Sequence, residues 1–131
     1  MNVTLGQTRL YNNLMNQQRQ ALIDKNYNEI YKHELAHKIA GGSFAGDIVI
    51  EKNSAGIPVG GHVAIAMPVL DKSNPQATID HANVVIGAAL APADPSAQDY
   101  KVASRAREIK QQAISFKNNN PNLGKKLDIQ G

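Results

Sequence analysis

His33-Glu34-Leu35-Ala36-His37-Lys38-Ile39-Ala40-Gly41-Gly42 is the stretch on which the reading of the fold turns. The apolar spacing predicts a helix, and the Gly41-Gly42 pair ends it, because glycine tolerates the left-handed backbone of a helix C-terminus. Residues four apart on a helix lie one turn apart on the same face, so His33 and His37 can reach one metal ion. Glu34 sits about 100° round from His33, close enough to contact a metal-bound water without displacing a ligand. Catalytic zinc needs three protein ligands, an open position for water, and a base for that water's proton. This HExxH spacing supplies two ligands and the base. The spacing also arises readily by chance, and the plain alternative is two solvated helix histidines, so the surrounding sequence must decide.

Upstream, Asn26 followed by Glu29 resembles a capping arrangement, which predicts a helix start and a span of about Tyr27 to Ala40. Tyr27, Tyr31, Leu35 and Ile39 make one face of it, while Leu35 and Ala36 let it pack on a core and leave the histidines to a cleft. A separate amphipathic helix is expected from Gln7 to Asp24, where Leu10, Leu14, Met15, Leu22 and Ile23 recur at helical spacing.

Downstream the period changes. Ile48 and Ile50 alternate with Asp47, Val49 and Glu51, Asn53-Ser54-Ala55-Gly56 is a turn cluster, and Ile57 to Met67 alternates again. A β-hairpin follows from that pattern, with Pro68 after its second strand. Ser73-Asn74-Pro75 starts another helix and Pro92 ends it near Leu90. Asp94-Pro95 repeats the start signal, with Asp94 as N-cap, and Val102, Ala106, Ile109, Ala113 and Phe116 form the buried stripe of a long last helix. The tail from Asn118 to Gly131 is rich in Asn, Gly and Lys and is expected to be flexible. The class is α+β.

A third metal ligand is less directly legible. In the longer zincin pattern a third histidine stands six residues after HExxH, but that position holds Ser43. His62, within Val59-Gly60-Gly61-His62-Val63, is the best candidate. Strand alternation places it on a face with Gly60, Ala64 and Ala66, all small, which lets the HExxH helix approach closely. Asp99 and His81 are the alternatives. His81 shares a helix with Ala77, Val84 and Ala88 and reads more naturally as a structural histidine; Asp99 is either an outer partner of a metal-binding histidine or a surface acid.

Composition fits one domain. The 131 residues are 42% hydrophobic and 19% charged, which argues against wholesale disorder, and 5% aromatic, which predicts a core of Ile, Val, Leu and Ala. With no cysteine, disulfides, thiolate metal sites and a cysteine nucleophile are excluded. The net charge of +3 is too small to imply nucleic acid, and Glu108 interrupts the basic run of Lys101, Arg105, Arg107 and Lys110. No apolar run approaches the ~18 residues of a membrane span, and Met1 to Arg9 does not read as a secretory signal, so a cytoplasmic chain without a membrane span is expected.

HELAHKIAGG (33–42), VGGHVAI (59–65) and NPQATIDHANVVIGAALAPADPSAQDYKVASRA (74–106), in that order, resemble the SprA-related family of bacterial proteins regarded as HExxH zinc metalloproteases. The resemblance covers about residues 27–113. It implies a small zincin-like domain with an HExxH helix, a hairpin and two C-terminal helices, zinc on His33 and His37, Glu34 as base, and a peptide or protein substrate. Relatives carry glutamate at the position of His62, and either residue type ligates zinc. The division expected from this is an N-terminal helix at 1–26, a zincin-like domain at 27–117 and a tail at 118–131. A non-catalytic zinc-binding interaction module is the alternative reading.

Overall fold

No helix break occurs at Asn26: in the computed structural model, which describes residues 4–122, one helix α1 (Leu5–Gly41) runs through both predicted helices. Neither glycine nor proline interrupts the chain between Gln7 and Ala40, so nothing in the backbone forces an end. The Asn26 side chain, taken from sequence as a cap, instead donates to the carbonyl of Pro58 at 3.0 Å. The true cap is Thr4, which forms a reciprocal capping box with Gln7. At 37 residues the helix is about 55 Å long. Its side chains from Leu5 to Leu22 are exposed, so Leu10, Leu14, Met15 and Leu22 face solvent rather than a core.

The C-terminal half of α1 carries the fold. It stops where expected, at Gly42, whose φ of 54° a side chain would strain. A turn of 3-10 helix leads into β1 (Ala45–Lys52), which pairs antiparallel with β2 (Pro58–Ile65). The Asn53 side chain holds the connecting turn, accepting from the N–H groups of Ala55 and Ile57. β2 runs alongside α1 in the same direction, with Pro58 beside Asn26, Gly61 beside Ile30 and Glu34, and Ile65 beside Gly41.

Two further helices, α2 (Pro75–Ala89) and α3 (Ala97–Asn119), pack mainly on each other. Their seam is built from alanine: Ala82, Ala88, Ala103, Ala106 and Ala113 are fully buried, with Val85 the largest apolar side chain among them. Small residues allow close helix approach, which is how a chain so poor in aromatics makes its core. Asn74 caps α2 with Pro75 at its first turn, as the sequence predicts. The cap of α3 is Ser96 and not Asp94, because Ser96 and Asp99 form a capping box that satisfies two backbone N–H groups at once. The part of the expected tail from residue 123 onward lies outside the described residues. The molecule is an α+β fold of three helices and a two-stranded hairpin. No helix among the described residues is long and apolar enough to cross a membrane.

Candidate metal centre

The buried face of α1 is the polar one. Glu34 and His37 are each 6% exposed, whereas Tyr27, Tyr31 and Ile39, on the face read as apolar, are 41%, 39% and 72% exposed. Burying a carboxylate and an imidazole in place of available apolar side chains is costly, and the surroundings explain what offsets that cost for His37. Its Nδ1 lies 2.7 Å from the carbonyl oxygen of Ala88 near the end of α2. A carbonyl only accepts, so Nδ1–H donates and Nε2 is left with its lone pair. That Nε2 lies 3.2 Å from the Nε2 of His33.

Asp99, in the first turn of α3, closes the group. One carboxylate oxygen stands 3.2 Å from His33 Nε2 and the other 3.2 Å from His37 Nε2. The Ser96 N–H donates to Asp99 Oδ2 at 2.8 Å, so the same capping box that starts α3 fixes this carboxylate. Donor atoms of His33, His37 and Asp99 all lie within 4.8 Å of one another, and no other such trio occurs among the described residues.

These residues fit a tetrahedral divalent ion. Two ligand atoms about 2.0–2.1 Å from a tetrahedral zinc stand about 3.3 Å apart. The 3.2 Å between the two imidazole nitrogens matches that spacing, and each nitrogen has one of the two Asp99 oxygens at 3.2 Å. Two imidazole nitrogens and a carboxylate are zinc's usual oxygen and nitrogen donors, and the His37–Ala88 hydrogen bond orients its ligand from behind.

His62 is not part of the trio. The close approach of α1 to a bare strand does occur, but on the opposite face: a Cβ on Gly61 would stand 2.7 Å from Ile30 Cγ2 and 3.0 Å from Glu34 Cγ. Gly61, Val63 and Ile65 therefore face inward, and alternation turns His62 outward opposite Val49. Its ring is 57% exposed, with Nδ1 3.9 Å from Glu51, and it lines the cavity without joining the trio. His81 is structural, as the sequence suggests, stacking on Phe44 with centroids 3.8 Å apart and bonding the carbonyl of Ala66 at 2.7 Å. Asp94 is exposed, away from the cluster.

Glu34 lies beside the trio and opens to the same cavity of about 350 Å³. Burial raises its carboxyl above the usual range, against the lowering influence of His33 and His37. No hydrogen bond among the described residues contributes to its ionisation. A buried carboxylate without a donor, next to three convergent ligand atoms, marks a candidate functional site.

A small α+β fold with one convergent His-His-Asp cluster and a buried glutamate beside it thus defines a candidate metal centre. The model of the SprA-related family matches residues 9–117, and the chain belongs to that family. The match includes most of α1 N-terminal to Tyr27, which the sequence motifs alone left out. No curated protein and no solved structure matches the chain.

Proposed function

We propose that the protein is a zinc-dependent metallopeptidase of the HExxH, zincin-like type, hydrolysing peptide bonds in a peptide or protein substrate. His33, His37 and Asp99 would hold the ion. The observation that carries the reading is the placement of Glu34, buried and lacking a hydrogen-bond donor among the described residues, beside that trio and facing the cavity. When bound, zinc supplies Lewis acidity that polarises a peptide carbonyl and makes water acidic near neutral pH.

The chain's own residues supply the rest. Glu34, which opens to the cavity beside the trio, would accept a proton from the attacking water and deliver it to the leaving nitrogen. The Ala88 carbonyl keeps His37 in the tautomer that presents Nε2 to the site. Ser96 holds Asp99 in place at the head of α3. Gly61 lets β2 approach α1 closely and line one side of the cavity.

The reading is tested by metal analysis and a broad peptide-library assay on protein purified without chelator. One zinc per chain is expected, with cleavage that a chelator abolishes and zinc restores. Zinc-loaded protein that cleaves nothing across the library would point instead to a non-catalytic zinc module.

A further inference from the structure

The cavity lining is of two kinds. Beside the polar His33, Glu34, His37, Ser96, Gln98 and Asp99, the side chains of Val63, Ile65, Met67, Ala89 and Val102 supply apolar wall. Those five come from β2, the segment after it, the end of α2 and the first turns of α3, so the wall is assembled by the fold and is not one strip of sequence. Among the described residues no lysine or arginine lines the cavity, and the remaining lining histidine, His62, has Glu51 3.9 Å from its Nδ1. The volume of about 350 Å³ is at the small end of the ~300–1,000 Å³ usual for ligand sites.

Each kind of substrate group fares differently there. An acidic side chain, or a substrate's terminal carboxylate, would shed water beside Glu34 and Asp99 with no lysine or arginine to receive it. A lysine head group would meet only carboxylates already committed to the site. An apolar side chain gives up nothing but its contact with water. Resting on the peptidase reading above, we propose that the wall of Val63, Ile65, Met67, Ala89 and Val102 is a specificity subsite. It takes an apolar side chain flanking the cleaved bond, and the bond is internal rather than next to a free C-terminus.

Binding tests this without turnover. Zinc-loaded Glu34→Gln protein is titrated calorimetrically with blocked, alanine-rich peptides carrying a single Leu, Asp or Lys. The Leu peptide is expected to bind at least about tenfold more tightly than the other two. Val102→Asp in the same background should reverse the order in favour of Lys, and Met67→Asp, outside the helices, makes the same test should the first variant not fold. Wild type should cleave amidated peptides as well as those with a free carboxylate. Equal affinities, no binding of the Leu peptide, an order unchanged by both acidic variants, or a requirement for the free carboxylate would overturn the inference. A wild type that binds in the expected order yet cleaves nothing would sink the peptidase reading, and with it the internal-bond claim, while leaving the apolar wall as a binding site.

Discussion

His37 donates its Nδ1–H to the carbonyl oxygen of Ala88 across 2.7 Å, joining the last residue of the HExxH motif to the end of α2. That one bond decides which ring nitrogen faces His33 and Asp99. The neutral ring of His37 is therefore expected as the Nδ1–H tautomer. Long-range proton–nitrogen NMR correlations should show this directly, with zinc addition shifting Nε2 while Nδ1 keeps its proton. An Nε2–H tautomer, retained on zinc addition, would contradict the assignment.

The structure gathers Asp99, and not His62, with His33 and His37. Asp99→Asn keeps an oxygen for the capping box but removes the ligand charge. It should weaken zinc affinity by more than the ~10–100-fold that losing an outer-shell partner costs, and change apo stability little. His62→Ala should retain one zinc per chain. Competitive chelator titrations of both variants check this; loss of stoichiometry in His62→Ala with none in Asp99→Asn would restore the strand histidine as ligand.

Gly61 is a point where β2 lies close against α1. Its added Cβ would sit 2.9 Å from the Val49 carbonyl oxygen as well as against Ile30, and backbone cannot turn aside as a side chain tip does. Gly61→Ala is expected to cost about 1–3 kcal/mol, as overpacking commonly does, read by urea denaturation. Gly87→Ala, at a position with open space, is the control and should be neutral or slightly stabilising.

Asp71 provides a pH prediction away from the site. The Ser73 hydroxyl at 2.6 Å, with the N–H groups of Ser73 and Asn74, holds its carboxyl below the usual carboxylate range. A carboxyl with a lowered folded pKa contributes stability above its unfolded pKa and loses it as pH falls through the folded one. An NMR titration should therefore show Asp71 titrating below a model peptide, and Asp71→Asn should flatten part of the stability decline in that acid window. An unshifted titration would refute the turn's role.

Much of this was legible in sequence because short-range physics governs it. The hairpin turn at Asn53–Gly56, the proline start of α2 and the Gly42 stop of α1 are local choices of backbone geometry. What escaped was tertiary. Asn26 offers its side chain equally to a cap or to a strand, and only the position of Pro58 decides. Small residues at Gly60, Ala64 and Ala66 suggested one strand face, whereas the approach of Ile30 selected the other through Gly61. Asp99 stood among the alternatives; the Ser96-x-x-Asp99 capping spacing, and not Asp94, is the local signal that places it in the first turn of α3. That this turn meets His33 depends on how α2 and α3 pack, which no local pattern encodes.

We propose Glu34 as a base beside the metal and not as a ligand to it. Glu34→Gln keeps the size and removes the ability to accept the proton near neutral pH. The decisive measurement is turnover of a cleaved library peptide by wild type and Glu34→Gln, each with its zinc content determined in the same sample. One zinc per chain in both, with turnover lower by about 10²–10⁴-fold in the variant, is the predicted result. Unchanged cleavage by zinc-loaded Glu34→Gln would contradict it.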